Sequence, residues 1–348
     1  MTPEPNLRAE SIDAFSRRFG CDVATLPRNV ALTGWSASDA TWYVAPRGLA
    51  ADRVFQDRVP PTLRFLNRFV IGELSSRSFW FPFCFWDGWR ERTPYATQYR
   101  WVPAHDLEEE SEWRGDAGEV PILSPDRRPV ACFGAHRGDP SALLLPEAHY
   151  LANGAYRRLF TKVRAIDVPW TRRAARAIYC GGNHGETSNY FPPVVAGRPH
   201  PRQYLDELAA ASGVAIDVHL GNIVPLAEQV ACKWILDVDG YARTWDAWAW
   251  KLCSGSTVLS PESPWESFFT RQFEPWRHYV PVANDFSDLA QKLAWCRAHD
   301  DECRRIAQRA RRRAAAAYRE QNVADIALAA MRKAYAPNPI RGDRDRTA

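Results

Sequence analysis

The chain has 348 residues, 46% hydrophobic and 25% charged, a balance typical of a soluble globular protein of about two domains. Its net charge of +4, from 45 basic and 41 acidic residues, does not by itself indicate a polyanionic partner. The eight cysteines include no CxxC pair, which argues against a zinc ribbon or a thioredoxin-like site. No signal peptide or apolar run of ~18 residues is visible, so we expect a cytoplasmic protein with reduced thiols and no transmembrane segment.

The first part of the chain mixes short helical and strand patterns. Residues 11–19 are amphipathic and residues 35–44 are strand-like. Residues 62–71 predict a helix, because apolar side chains share one face at helical spacing: Leu63, Leu66 and Val70.

A very apolar run at residues 79–86 predicts a buried strand that ends at Asp87. Pro82 within it predicts an edge position, a bulge or a break. Residues 90–129 are polar and Pro-rich and predict a long surface excursion, after which a short strand resumes at 130–134.

The second half shows an α/β rhythm, which predicts parallel sheets covered by helices. A glycine at 213 predicts the end of one helix, and Ser287 predicts the N-cap of another, with Asp288 in its first turn. One long helix is predicted from Asp300 or Asp301 to about residue 335. The predicted strands are 176–180, 214–220, 229–238, 257–259 and a last strand ending at 282; the helices are 155–166, 201–212, 245–252 and an aromatic helix before the last strand.

Two motifs follow strands of this second half. Gly181 to Gly185 places a glycine-rich turn where backbone N–H groups could meet phosphates, although an ordinary strand-to-helix turn has the same composition. Asp237-Val238-Asp239 forms a DxD sequence that could hold a divalent metal ion, or could simply cap a turn.

Two further features allow more than one interpretation. Asp87 ends an apolar strand, where partial desolvation favours a general base, but most Asp-Gly pairs only form turns. The basic run from Arg304 to Arg313 could meet nucleic acid or a membrane surface, but its alanine spacing and nearby acids favour a solvated helix face.

Several ordered strings resemble glycosyltransferase family 90, which includes Rumi-type protein O-glucosyltransferases and capsule- and lipopolysaccharide-modifying enzymes. The strongest are Pro275 to Val282 (PWRHYVPV), Asp285 to Leu289 (DFSDL) and His299 to Glu302 (HDDE). Weaker similarity lies around 131–147 and 168–179. The resemblance covers roughly residues 80–320, and residues 1–75 carry none of it.

The resemblance implies an α/β protein of GT-B type, with two Rossmann-like domains facing a central cleft. The implied N-terminal, acceptor-side domain is 1–168 and the nucleotide-sugar-binding domain is 169–335. Residues 336–348 are expected to be a disordered tail.

The resemblance further implies an inverting transfer from a UDP-sugar, without a cofactor or a bound metal. Asp87 would be the base, and Arg243 would hold the diphosphate. Glu262 would bind the ribose hydroxyls. The loops expected to approach the diphosphate contribute Gly181, Gly182 and His184, and Ser254, Gly255 and Ser256.

The implied acceptor is a glycan, such as a lipopolysaccharide, capsule or exopolysaccharide precursor, and the implied donor sugar is glucose or xylose. A lipid-linked acceptor would bring the protein to the inner face of the membrane; nucleic acid is not expected as a partner. Two alternatives stay open. One is a metal-dependent transferase that uses Asp237 and Asp239; the other is a weakly active or inactive UDP-sugar- or glycan-binding protein. The second follows from Cys180, which stands where the family commonly has an arginine, and for which His184 or Arg202 could substitute.

Overall fold

The computed structural model describes residues 5–21, 30–46, 53–85, 128–182, 202, 204–221, 224–240 and 242–335. The chain divides into two compact units, each of mixed α/β structure. The N-terminal unit comprises Met1–Ala148 and Ala324–Ala348, and the C-terminal unit comprises His149–Val323. This division falls 20 residues before the boundary predicted at 168 and assigns the end of the last helix to the N-terminal unit.

The N-terminal unit contains a mixed six-stranded sheet of β1 (Leu7–Ala9), β3 (Thr41–Pro46), β2 (Val30–Ser36), β4 (Phe79–Cys84), β5 (Val130–Cys132) and β7 (Ala142–Leu144), in that order. Its centre is antiparallel, because β2 pairs in that sense with both β3 and β4. The flanking pairs β1–β3, β4–β5 and β5–β7 are parallel. A further strand of this unit, β6, spans Gly134–His136.

The helices of this unit follow the local sequence signals. Ile12–Phe19 begins after Ser11, whose Oγ accepts a hydrogen bond from the Ala14 N–H at 3.2 Å, and ends at Gly20 with φ 61°. The next helix, Arg53–Phe69, is followed by the short helix Ile71–Leu74. The predicted helical face is confirmed, since Leu63, Leu66 and Val70 are fully buried.

Pro82 does not mark an edge or a break, so that prediction is wrong. All of β4 is buried, and the strand lies between β2 and β5 in the sheet. The ladder with β5 begins only at Phe83, which pairs with Ala131. The missing N–H of Pro82 therefore removes no bond from the paired part of that ladder.

The C-terminal unit is built on a five-stranded sheet of β13 (Val280–Val282), β11 (Thr257–Pro261), β10 (Cys232–Leu236), β8 (Ala174–Gly181) and β9 (Ile216–Leu220), in that order. Every neighbouring pair is parallel. The predicted parallel sheet is therefore confirmed. The predicted strand at 229–238 is shorter than expected, because its first residues belong to the helix Leu226–Val230. A further strand of this unit, β12, spans Trp265–Ser267.

Helices cover this sheet and form a shared core with it. Leu205–Ala209 runs into a 3₁₀ turn that ends at Gly213, as predicted, with φ 64°. The helix after β13 begins at Leu289 with Asp288 rather than Ser287 as its N-cap, and it buries Leu289, Leu293 and Cys296. The unit also contains the helices Arg157–Ala165, Ala247–Cys253 and Asp300–Ala317, and all of Ala148–Ala152 except its first residue. The helix Glu320–Tyr335 begins in this unit but belongs to the N-terminal unit from Ala324 onward.

The predicted aromatic helix before β13 is wrong. The segment instead forms β12 and a 3₁₀ turn at Thr270–Gln272. Side chains take over the backbone bonds that a helix would need: the Ser267 N–H donates to Thr270 Oγ1 at 2.7 Å, and Ser263 Oγ accepts from the Trp265 N–H at 2.9 Å.

The predicted single helix to residue 335 is also wrong, because it breaks at Tyr318. The Tyr318 carbonyl accepts a hydrogen bond from the Tyr150 hydroxyl at 3.0 Å, and the Tyr318 ring stacks on Phe269 at 4.1 Å. Tyr156 and Phe160 pack against the same ring. This aromatic cluster places residues 149–165 in the C-terminal unit.

Candidate functional site

The candidate site lies where the strands of the five-stranded sheet end. In open parallel sheets, ligands bind in the crevice outside the carboxyl ends of the strands. Here β8 ends at Gly181, β10 leads into Asp237, and β11 leads into Glu262. We call this the carboxyl edge, and we call the opposite side, where the strands begin, the amino edge.

Glu262, the predicted ribose-binding carboxylate, lies at the carboxyl edge. It directly follows β11 and is exposed, so its carboxylate is open to a ligand. Its backbone N–H donates to the Val282 carbonyl at 2.9 Å, which fixes the residue to the end of β13. The carboxylate is therefore presented from a fixed backbone.

A buried ion network centred on Asp237 holds this edge together. Lys251 Nζ lies 2.8 Å from Asp237 Oδ1, and Arg243 Nη2 lies 2.6 Å from Asp237 Oδ2. Ser260 Oγ also donates to Oδ2, at 3.3 Å. All three charged side chains are nearly removed from solvent, with 4% of Lys251, 7% of Arg243 and 9% of Asp237 exposed.

The two carboxylates of the DxD sequence have opposite pKa shifts. Burial by itself would raise the pKa of Asp237, but the Lys251 ammonium and the Arg243 guanidinium hold it below its ordinary value. Burial raises the pKa of Asp239, and the partial compensation from Arg243 and Ser263 does not cancel it.

The partners of the DxD carboxylates occupy the positions that a metal ion would need in the alternative of a metal-dependent transferase. Asp239 Oδ1 lies 3.1 Å from Arg243 Nε, and its Oδ2 accepts a hydrogen bond from Ser263. A divalent ion at Asp237 and Asp239 would have to displace Lys251 and Arg243. Among the described residues, no three His, Cys, Asp or Glu side chains cluster in a way that could hold a metal.

Arg243, the predicted diphosphate ligand, donates to protein oxygens. Besides its ion pairs with both aspartates, it donates to Ser260 Oγ at 2.6 Å and to the Pro261 carbonyl at 3.2 Å. Its guanidinium lies 4.5 Å from the centre of the Trp248 ring. A diphosphate could reach this guanidinium only by displacing these partners. In this arrangement Arg243 positions the turn that carries Glu262.

Arg202 joins the ends of β8 and β10. It donates to the carbonyls of Gly182 at 2.9 Å, Val238 at 2.9 Å and Asp239 at 2.8 Å, and only 8% of the residue is exposed. It therefore fixes the glycine turn against the DxD turn.

Gly181 is required at the end of β8 for a steric reason. A Cβ atom there would lie 2.4 Å from the Tyr179 hydroxyl oxygen, far inside van der Waals contact. Cys180, next to it, is half-buried. Because Gly181 and Gly182 carry no Cβ atom, their backbone can also approach a ligand closely.

The structure does not bring Ser254, Gly255 and Ser256 to the carboxyl edge. These residues precede β11, so they lie at the amino edge of the sheet. Ser256 and Ser260 are four positions apart along β11, or about 13 Å. The glycine turn after β8 and the loop before β11 were both expected to bind the diphosphate, but they lie at opposite edges of the sheet.

Two arginines hold that second loop at the amino edge. Arg173 donates to Ser256 Oγ at 2.6 Å and to the Ser254 carbonyl at 2.9 Å, and it pairs with Asp167 at 2.8 Å. Arg311 donates to the Ser254 carbonyl at 3.2 Å and pairs with Asp167 at 2.8 Å. These contacts give the loop a structural role in joining β10, β11 and the helix Asp300–Ala317.

Asp87 and His184 lie outside the described residues, as do the segments 90–127 and 336–348. The sequence patterns fail to single out Lys251, although a lysine on a largely apolar helix was a usable signal. A buried ammonium needs a carboxylate partner, and Asp237 ends the neighbouring strand.

Among the helices that the structure describes, none combines the length and the apolar character needed for a membrane crossing.

A family model described as glycosyl transferase family 90 matches residues 156–337, slightly more than half of the chain. The chain is 36% identical over 76 residues to protein O-glucosyltransferase 3 from Rattus norvegicus, across 22% of this chain and 15% of that protein. It is 28% identical over 156 residues to protein O-glucosyltransferase 1 from the same organism, across 42% of this chain and 38% of that protein. The chain thus spans well under half the length of these relatives.

Among solved structures, a glycosyltransferase from Rickettsia africae is similar to this chain. The similarity covers 85% of this chain and 86% of the other, with 10% sequence identity and a TM-score of 0.35.

Proposed function

The chain belongs to glycosyltransferase family 90, and on that premise we propose that it transfers a sugar from a UDP-sugar to a hydroxyl group of a glycan. Glucose is the first donor sugar to test, because relatives are named as protein O-glucosyltransferases, and xylose is the second. The proposed acceptor is a precursor of lipopolysaccharide, capsule or exopolysaccharide.

The observation that carries this proposal is the carboxyl edge of the parallel sheet. Gly181 and Gly182 offer a backbone that a diphosphate can approach, and Glu262 offers an exposed carboxylate for the ribose. The network of Asp237, Arg243 and Lys251 fixes the intervening turns. A site on such rigid supports is preorganised, which reduces the entropic cost of binding.

In the proposed reaction, Asp87 removes the proton of the acceptor hydroxyl as the oxygen attacks the anomeric carbon. The bond from that carbon to the UDP oxygen breaks on the opposite face, so the configuration inverts and UDP leaves with the electron pair. Backbone N–H groups at Gly181 and Gly182, together with His184, would stabilise the charge that develops on UDP. The Asp87 carboxyl finally releases its proton to solvent.

The first test is the release of UDP from UDP-glucose, UDP-xylose and UDP-galactose. Loss of a general base costs about 10²–10⁴-fold in rate, so Asp87→Asn should lower kcat by that factor and leave UDP affinity unchanged. Normal turnover by Asp87→Asn would remove this residue from the mechanism.

The second test separates binding from chemistry. Hydrogen bonds to a charged group contribute about 1.5–3 kcal/mol, so Glu262→Gln should weaken UDP binding in calorimetry by roughly 10- to 150-fold. Asp301→Asn is the matched control, since it removes another exposed carboxylate, on the helix Asp300–Ala317. Equal UDP affinities for the two variants would exclude Glu262 as a ribose ligand.

One observation favours a second candidate, a UDP-sugar-binding protein without transferase activity. At the carboxyl edge, Arg202, Arg243 and Lys251 all donate to protein oxygens, and Cys180 stands beside the glycine turn. Tight UDP binding without turnover of any donor would support this function. Activity that is lost in EDTA and restored by Mn²⁺ would instead support a metal-dependent transferase.

A further inference from the structure

Trp276 occupies an unusual position for a large aromatic residue. Its φ angle is 61°, in the left-handed region that bulky side chains rarely adopt, and 42% of the residue is exposed. A strained conformation persists only where the surrounding structure determines it, and an exposed indole gains little from the core. The exposed part of the Trp276 indole is therefore a candidate contact surface.

The turn that carries Trp276 is fixed from several sides. The Trp276 N–H donates to the Tyr279 carbonyl at 2.7 Å, and the His278 N–H donates to the Glu274 carbonyl at 3.0 Å. Buried His278 accepts from the Glu274 N–H at 2.9 Å through Nδ1. From the helix Asp300–Ala317, Arg309 Nε donates to the Arg277 carbonyl at 2.9 Å. These hydrogen bonds therefore fix the turn in a conformation that leaves the Trp276 indole exposed.

Lys292 and Trp295 contact the indole from the helix Leu289–Ala298. Lys292 Nζ lies 4.9 Å from the ring centre of Trp276, and the Trp295 ring lies 4.9 Å away at 75°. His299 stacks on the other indole, at 4.6 Å from Trp295. The result is an aromatic surface with a cation beside its exposed member.

This surface lies within a basic patch. Arg305, Arg309 and Arg312 recur at positions i, i+4 and i+7 of their helix, so they share the face from which Arg309 reaches the turn. The basic residues of the patch, linked to the turn by contacts or by this helix face, are Arg277, Lys292, Arg305, Arg309, Arg312 and Arg313. Glu274 pairs with Arg277, Asp288 pairs with Lys292, and Glu302 pairs with both Arg305 and Arg309. Six positive and three negative charges leave this face with an excess of three positive charges.

We propose that this face, defined by Trp276, Lys292 and the arginines of the patch, docks on an anionic lipid surface. Indole side chains favour the boundary between lipid headgroups and hydrocarbon, because one part of the ring is apolar and its N–H is polar. Basic residues near a membrane add electrostatic attraction to anionic lipids. The inference goes beyond the proposed sugar transfer and does not depend on it.

The position of Lys292 favours lipid over single-stranded nucleic acid, another polyanion that a basic helix could meet. Bases bind proteins largely by stacking on open aromatic faces. Lys292 lies over the Trp276 ring, which reduces the area open to stacking but leaves the exposed side of the indole available to a lipid interface.

The test is sedimentation of the full-length protein with vesicles of phosphatidylcholine, alone or with a quarter of phosphatidylglycerol. We expect binding only to the anionic vesicles, and loss of binding at high salt because the exposed charges are screened. At about 1 kcal/mol for each basic residue, Arg305→Gln combined with Arg312→Gln should lower the partition coefficient by roughly 30-fold. Trp276→Gly should lower it by about tenfold or more.

The controls match each change away from the patch. Trp245→Ala removes an indole that is 47% exposed, and Arg158→Gln combined with Arg164→Gln removes two exposed charges from the helix Arg157–Ala165. Glycine tolerates the φ angle of position 276, so Trp276→Gly should stay folded, which thermal unfolding checks.

The proposal is overturned if the wild-type protein ignores anionic vesicles. It is also overturned if folded Trp276→Gly binds them as the wild type does, or if the controls lose as much binding as the patch variants. Stronger binding of labelled duplex DNA than of vesicles, weakened by the same arginine changes, would assign the patch to nucleic acid instead.

Discussion

The Lys251–Asp237 pair offers a direct test of how the carboxyl edge is held. Substitution Lys251→Met keeps a long, flexible side chain of similar shape but removes the ammonium that lies 2.8 Å from Asp237. Asp237 would remain buried, with Arg243 and Ser260 as its other partners.

Removal of one partner from a buried ion pair typically costs about 3–5 kcal/mol, because the remaining charge has lost its compensation. For a folded unit of 150–250 residues, each 1 kcal/mol lowers Tm by roughly 2–4 °C. We therefore expect Lys251→Met to lower the Tm of the C-terminal unit by about 6–20 °C.

Thermal unfolding followed by circular dichroism at neutral pH measures this change. Arg277→Met is the control, since its pair with Glu274 has a similar distance of 3.0 Å but leaves 61% and 60% of the two side chains exposed. Such a surface pair contributes under about 1 kcal/mol. The double variant Lys251→Met with Asp237→Leu should recover part of the lost stability. A Tm within about 2 °C of the wild type for Lys251→Met would refute the reasoning.

Three further outcomes are expected. Arg173→Met should lower Tm to a similar extent as Lys251→Met while UDP affinity in calorimetry stays constant, because Arg173 acts at the amino edge; a large loss of affinity would contradict that placement. Gly181→Ala should lower both Tm and UDP affinity, since the new methyl group meets the Tyr179 hydroxyl; an unchanged Tm would mean that the strand end yields easily. Burial alone would raise the pKa of Asp237, but Lys251 and Arg243 hold it low, so its contribution to the free energy of unfolding is present above pH of about 3.9 and is lost as pH falls through the folded-state pKa. An acid-unfolding profile that Asp237→Asn leaves unchanged would contradict this.

Features that depend on neighbours along the chain could be predicted from the sequence. The amphipathic stretch at 11–19 forms a helix, Gly213 ends another, and the apolar face of residues 62–71 is buried. Each of these follows from hydrogen bonds or periodicity within a few residues. The alternation of strands and helices likewise predicts the parallel sheet of the C-terminal unit.

Features that depend on the position of an element in the sheet could not be predicted as well. A proline in a strand usually indicates an edge, yet Pro82 lies in an interior strand whose second ladder begins one residue later. The aromatic segment before β13 has the spacing of a buried helix, but Ser263 and Ser267 bond its backbone locally and prevent one.

The sequence allows one part of the site's geometry to be predicted, namely that the predicted site residues divide between two edges of the sheet. Strands of a parallel sheet all run in one direction, so a loop that precedes a strand lies opposite a loop that follows one. Ser256 directly precedes the strand predicted at 257–259, whereas Gly181 follows the strand at 176–180. The partners of Arg243 and Lys251 were not available in this way, because Asp237 and Ser260 meet them only after β10 and β11 pair.

The assignment of residues 324–335 to the N-terminal unit has a consequence for biosynthesis. Tyr335 stacks on Phe81 at 5.2 Å, and its hydroxyl donates to the Pro129 carbonyl at 2.9 Å, so the first sheet buries its residues with the help of the last helix. A ribosome delivers that helix after the whole of the C-terminal unit has been made. The N-terminal unit is therefore synthesised first but remains incomplete until translation has passed residue 335. Until then Tyr335 does not cover Phe81. During this interval the nascent chain offers an apolar strand to chaperones, and a chain interrupted before Tyr335 keeps it exposed.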